Sequence, residues 1–236
     1  MKLSALLLSG ILVLLFPSCV KVIGEGPTAT QNRSTGNFTA VASCISADVF
    51  YKQDAQVKVE ISAQQNILDV IQTQVINNEL VIKFKDNVRV KDHENITVNI
   101  SSPDIHGLRI SGSGNLIISD SINTSNISLS LSGSGNISVP KLVATSVEAG
   151  ISGSGNITVL NGSGNTEKLK ISGSGNMDFM SFEAVSVNTS SSGSGEMRVY
   201  AMKNLDVSIS GSGSVFYRGN PLVNTNISGS GKVIHQ

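Results

Sequence analysis

Apolar and polar residues alternate along short runs, and the runs break at the same kind of five-residue stretch. From Val147 to Ile151 the apolar positions are Val147, Ala149 and Ile151, with Glu148 and Gly150 between them. Ser152-Gly153-Ser154-Gly155-Asn156 follows, and Ile157-Thr158-Val159 resumes the alternation. A period of two on both sides of a glycine-rich corner predicts strand, tight turn, strand. Glycine suits the corner because positive φ strains other residues.

The corner recurs. Ser-Gly-Ser-Gly-Asn begins at Ser111, Ser132, Ser152 and Ser172, and variants ending in Glu196, Ser214 and Lys232 begin at Ser192, Ser210 and Ser228. The steps between starts are 21, 20, 20, 20, 18 and 18 residues. A fixed period near 20 marks a repeat architecture. The turn glycines come in pairs: Gly112 and Gly114, Gly133 and Gly135, Gly153 and Gly155, Gly173 and Gly175, Gly193 and Gly195, Gly211 and Gly213, Gly229 and Gly231.

Laid over this period, the apolar positions form rows. Ile110, Leu131, Ile151, Ile171, Ser191, Ile209 and Ile227 precede the corner, with Ser191 the exception. Leu116, Ile137, Ile157, Met177, Met197, Val215 and Val233 follow it, and Ile118, Val139, Val159, Phe179, Val199 and Tyr217 stand two residues further on. Such rows predict an all-β chain wound as a parallel β-helix of about 20 residues per coil, each coil adding about 4.8 Å. A meander of hairpins is the rival reading. Hairpins favour two-residue loops and do not require one residue type in one row. Stacking also aligns a serine column (Ser113, Ser134, Ser154, Ser174) and an asparagine column (Asn115, Asn136, Asn156, Asn176). These read as hydrogen-bonded ladders or as a polar surface for contact with glycans or another protein.

The chain divides around this repeat. Residues 1–18 carry one Lys, an apolar run and Pro17-Ser18, the pattern of a secretory signal. The run is too short for a spanning helix. Cys19 directly after it reads as the lipidation cysteine of a bacterial lipoprotein, which would hold the chain to a membrane by acyl chains. Residues 19–36 read as a flexible tether. Residues 37–107 lack the corners and read as irregular N-terminal coils or a cap of the solenoid. Strands are predicted over 56–62, 80–84 and 96–100, with 67–76 a short helix or bent strand, Asn77-Asn78 a turn and 86–94 a charged loop. Residues 108–236 form the regular repeat. Asn161-Gly162-Ser163-Gly164-Asn165 is an extra glycine corner, expected to turn the opposite edge of one coil. The end coil is expected to expose strand edges that invite capping or a homo-oligomer.

Seventeen Lys and Arg balance seventeen Asp and Glu, so no basic stripe points to nucleic acid. Charged residues are only 14% of the chain, so its outer face must rely on Ser, Thr and Asn. Once Cys19 is acylated, Cys44 has no internal disulfide partner; between Ala42 and Ile45 it reads as a small buried side chain.

Enzymatic chemistry on a β-helix needs clustered acids, such as a carboxylate pair for glycoside hydrolysis. Asp120, Glu148, Glu167, Asp178, Glu183, Glu196 and Asp206 fall at different coil positions. Asp92, His93 and Glu94, with Asp104 and His106 nearby in sequence, could hold a metal; a solvated loop is the simpler reading, because adjacent residues point in different directions. The corners lack the third glycine and following helix of a phosphate loop. No catalytic residue, cofactor or metal site is assigned.

The secretory cysteine, the irregular N-terminal half and the tandem Ser-Gly-Ser-Gly-Asn corners resemble the GIN-domain family, proposed as autotransporter adhesin heads in Gram-negative bacteria. The resemblance covers roughly residues 37–236. It implies a right-handed β-helix similar to pectin lyases, without their catalytic residues. The expected function is a non-enzymatic, outer-membrane lipoprotein that binds a glycan or protein, on the cell surface or periplasmic face. A carbohydrate-active enzyme or a purely structural periplasmic protein are the alternatives.

Overall fold

The computed structural model of the chain describes residues 20–236. The expected signal and Cys19 lie outside them. The irregular half holds β1 (Val20–Ile23), β2 (Thr28–Asn32), β3 (Ala40–Ser43), β4 (Asp48–Gln53), β5 (Lys58–Gln64), α1 (Gln65–Leu68), β6 (Ile71–Ile76), β7 (Glu79–Phe84), β8 (Val88–Lys91) and β9 (Thr97–Ser102). The repeat half holds β10 (Gly107–Gly112), β11 (Asn115–Ile118), β12 (Ser121–Gly133), β13 (Asn136–Val139), β14 (Lys141–Gly153) and β15 (Asn156–Val159). It continues through β16 (Gly162–Gly173), β17 (Asn176–Gly193), β18 (Glu196–Gly211), β19 (Ser214–Arg218), β20 (Leu222–Gly229) and β21 (Lys232–His235).

The fold is all-β apart from the one turn of α1, and stacks like a solenoid through about six turns. Each strand of the repeat half pairs in parallel with its counterpart one coil away. Ile110 lies beside Leu131, Leu131 beside Ile151, Ile151 beside Ile171, Ile171 beside Ser191 and Ser191 beside Ile209. After the corner, Leu116, Ile137, Ile157, Met177, Met197 and Val215 stack likewise. Parallel pairing in register makes every inward position a continuous row, and the rows form one buried core. The shorter spacing of the last corners is absorbed by register shifts in β17, between Phe179 and Glu183 and between Ala184 and Ser186.

The irregular half is stacked out of chain order. β3 and β4 are the first strands of the solenoid in sequence, but they lie second in space. β7 and β9 pass beneath them, while β10 and β11 stack above. Beneath β7 and β9 the pairing turns antiparallel: β6 lies on β7, β5 on β9, and β2 on β5. Asn77 and Asn78 both have positive φ (50° and 62°), the backbone of a two-residue hairpin turn between β6 and β7. Ile67 and Leu68 of α1 are fully buried and close the core at this end.

One expectation fails here. Residues 20–36 are not a free tether, because β1 pairs in parallel with β8 and β2 is a member of the cap. The extra glycine stretch does begin in a turn: the bend between β15 and β16 falls at Leu160 and Asn161, and Gly162 opens β16 with φ 152°. Gly164 lies within β16, and the two glycines stand beside Phe182 and Ala184 of β17. A Cβ at Gly162 would lie 2.9 Å from Cδ2 of Phe182, and one at Gly164 2.8 Å from its Cζ. The missing side chains are the space that the Phe182 ring fills, edge-on to Phe179 at 6.1 Å.

Candidate interaction surface

The corners stack into one long edge of the solenoid, and their two glycines act differently. The first of each pair takes positive φ, from 121° at Gly112 to 145° at Gly193. The second does not; a Cβ there would run into backbone below, as Gly155 would meet the carbonyl oxygen of Gly135. Past the first coil both glycines let the coils approach, since a Cβ at Gly153 would likewise meet the carbonyl oxygen of Gly133, and the first glycine also turns the chain. The carbonyl of Gly133 accepts N–H bonds from Ser154 (2.9 Å) and Gly155 (3.2 Å), a pattern repeated at Gly153, Gly193 and Gly211.

The asparagine column is a bonded ladder. Nδ2 of Asn136 donates to Oδ1 of Asn115 at 2.9 Å, Asn156 to Asn136 at 2.9 Å and Asn176 to Asn156 at 3.2 Å. The Glu196 N–H closes one end on Asn176 Oδ1 at 3.0 Å. At the other end Asn115 donates to Asp48 Oδ1 and Asn95 to Asp48 Oδ2, each at 2.8 Å. The amides all point one way, with their N–H ends toward the Asp48 carboxylate. Asp48 stands beside Asn115 in the pairing of β4 with β11, so Cys44-Ile45-Ser46-Ala47-Asp48 is a corner without glycines. The sequence reading missed it. Its signal is the five-residue spacing from Ser43, which lies beside Ile110, to Asp48.

The serine column behaves oppositely. Ser113, Ser134, Ser154 and Ser174 are exposed, as are Ser194, Ser212 and Ser230 of the same column. Their backbone N–H groups are used from Ser134 onward, but their hydroxyls make none of the described side-chain hydrogen bonds. They form a straight file at the interstrand spacing of about 4.8 Å.

On another face a shallow groove of about 390 Å³ crosses the coils. Asn123, Thr124, Thr145, Ser163, Asn165 and Glu183 supply polar groups, with Val143 and Met202 exposed at its rim. At the Thr124 end, His106 Nε2 lies 2.9 Å from Asp104 Oδ2 and its Nδ1 lies 3.0 Å from Thr124 Oγ1. The same Nδ1 lies 3.1 Å from the carbonyl of Asn126. Ring nitrogens facing a carboxylate and a carbonyl make His106 a clamp between loop and coil, in place of a base for the threonine.

Asp104 and His106 are therefore tied to Thr124. His93 and Glu94 instead border a hollow under the first corner, with Asp48, Asn95 and Asn115. Glu94 Oε2 accepts from Thr28 Oγ1 at 2.7 Å, and Asp92 joins the chain to Gly24 through its carbonyl. Among the described residues no three His, Cys, Asp or Glu side chains gather as a metal group. The acids of the repeat half stay apart in the ladders: Glu148 lies beside Lys168, Asp178 beside Arg198, Glu183 beside Tyr200 and Asp206 beside Asn224. Asp120 is exposed after β11, and Glu196 lies beside Ser214.

Glu167 is the exception in kind. It stands in an inward row between Val147 and Val187, fully enclosed, and neither carboxyl oxygen has a partner. Burial pushes its pKa well above the ordinary carboxyl range. Ser191 likewise buries an unpartnered hydroxyl in the next coil. Cys44 is exposed, contrary to the buried reading. Ser43 and Ile45 face inward on either side of it, so alternation turns Cys44 out.

A solved structure described as a putative adhesin, from Bacteroides fragilis NCTC 9343, aligns over 91% of this chain and 100% of its own, with 22% identity and a TM-score of 0.84. A "putative lipid binding protein" from Parabacteroides distasonis ATCC 8503 aligns over 92% and 99%, with 24% identity and a TM-score of 0.78. A putative adhesin from Parabacteroides merdae ATCC 43184 aligns over 92% and 99%, with 22% identity and a TM-score of 0.75. At these identities the likeness is one of fold. No curated protein sequence matches. Residues 37–221, from just before β3 through β19, match the family described as "Putative auto-transporter adhesin, head GIN domain", and the chain belongs to that family.

Proposed function

We propose that the chain is a lipid-anchored, non-enzymatic module of the cell envelope that presents a rigid polar edge to a glycan or protein. The observation that carries this reading is the contrast between the two corner columns. The asparagines spend their amides on one another, while the exposed serine hydroxyls next to them are left for an outside partner. A file of hydroxyls on a stiff edge loses little side-chain entropy on binding. Family membership supports an envelope or surface setting. Among the described residues no helix is long and apolar enough to cross a membrane. Attachment is assigned to acylation of Cys19, which directly follows the signal-like residues 1–18. The finer reading of the fold, a right-handed β-helix similar to pectin lyases, accompanies this proposal.

The test is binding of the chain to arrayed glycans and envelope or host proteins. A ligand should be found, and Ser134→Ala, Ser154→Ala and Ser174→Ala together should weaken it at least about tenfold, as for several lost hydrogen bonds. No ligand across a broad panel, or an unaffected triple variant, overturns the edge as the site. Fatty-acid labelling of cells, lost in Cys19→Ala, tests the anchor. Protease treatment of intact cells separates surface from periplasmic display.

A further inference from the structure

The two ends of the solenoid are finished differently. At the cap, Ile61, Ile67 and Leu68 are fully buried under antiparallel strands. At the other end, β20 is exposed along its whole length. Val223 and Ile227 continue the rows of Leu205 and Ile209, which are 0% and 1% exposed, yet they are 40% and 41% exposed themselves. Only a further layer on β20 would give them the burial of their predecessors. Edge strands are commonly guarded by Lys or Pro. From Leu222 to Gly229 there is neither, nor any charged residue.

We infer that this edge pairs with the same edge of a second copy, β20 against β20, antiparallel about a two-fold axis at Thr225. The sequence of β20 fits its own reverse. With Thr225 at the centre, Val223 faces the second copy's Ile227 and Ile227 faces its Val223. Thr225 faces its own counterpart, and Asn224 faces Asn226 on the outer side. These are apolar, hydroxyl and amide pairs, each favourable across an antiparallel ladder. The inward triplet Val223, Thr225 and Ile227 prolongs the core rows, so the two cores become continuous. The capped end offers no matching open core, so the contact closes at two copies and does not grow into a filament.

The test uses the full chain with Cys19→Ala and Cys44→Ser, leaving no native thiol. Light scattering should give a dimer. Adding Thr225→Cys should produce a disulfide-linked dimer under mild oxidation, because directly opposed strand positions lie about 4.5–5.5 Å apart at Cα, within disulfide reach. Ser154→Cys, exposed in mid-edge, should not cross-link. Thr225→Lys, which sets two ammonium groups face to face, should weaken the dimer about a hundredfold while leaving the circular dichroism and thermal midpoint of the monomer unchanged. A monomer at all concentrations overturns the inference. So does a dimer that Thr225→Cys fails to link, or one that Thr225→Lys leaves intact, because its interface then lies elsewhere. Cross-linked species larger than two copies overturn the two-fold arrangement.

Discussion

The irregular half and the repeat half solve one problem in two ways. Both must keep inward apolar rows from water. The repeat half does so by copying: every coil is covered by the next, and each needs only its neighbour. The irregular half has no earlier coil to lean on. It folds its own chain back beneath β3 and β4, reverses strand direction in β5 and β6, and plugs the end with Ile67 and Leu68. Copying needs only local order, whereas closure needs residues that occur once.

The contrast can be broken from either side. Leu68→Ala in the cap should cost about 3 kcal/mol in urea unfolding, whereas Ile227→Ala in the last coil should cost under about 1 kcal/mol in the monomer. Equal costs would erase the distinction between a plugged and an open end. Within the repeat half, Gly155→Ala should cost about 3 kcal/mol, since its Cβ has no room against the Gly135 carbonyl. Gly150→Ala, with nothing within 4 Å, should instead stabilise by about 0.5 kcal/mol. Glu167→Leu should stabilise by about 2 kcal/mol at neutral pH, because it removes a buried carboxyl without partners. Its raised folded pKa sets the sign. The folded state holds the proton more tightly, so stability is greatest below the unfolded value of about 4.3 and falls as pH rises toward the folded one. The gain from Glu167→Gln should therefore grow between pH 4 and pH 7 in urea titrations; a pH-independent gain would show that the carboxyl titrates alike in the folded and unfolded states. Asn156→Ala should cost about 1 kcal/mol by interrupting the amide ladder, read as a shift in the urea midpoint.

The rows of the repeat half were legible because a period of about 20 places like residues side by side without any knowledge of the fold. The cap was not. That β7 and β9 slide beneath β3 and β4 is a choice among long-range partners that no local pattern records. The tether reading failed for a related reason: Val20 to Asn32 is polar and Gly-rich in parts, yet it finds backbone partners in β8 and β5. Cys44-Ile45-Ser46-Ala47-Asp48 carries no glycine signal, because a corner at the boundary of the repeat can do without it. The inward carboxyl of Glu167 could have been seen. It stands five residues before the Ser172 corner, as Val147 stands before Ser152, so the period alone places it inward. The groove and its Asp104–His106–Thr124 clamp join residues from separate coils and carry no repeated signal.

The paired glycines of the corner also bear on how such a chain changes over generations. Because the first glycine sets the turn and both seat it on the coil below, any coil can follow any other. A duplication or loss of one whole unit leaves each neighbour facing an equivalent neighbour. An insertion of one residue within a strand, by contrast, turns the downstream side chains of that strand inside out. Length in this protein is therefore free to vary in whole coils and is resisted in fractions of one. The bulged stretch of β17, where the coil shortens, marks a place that tolerates a smaller step.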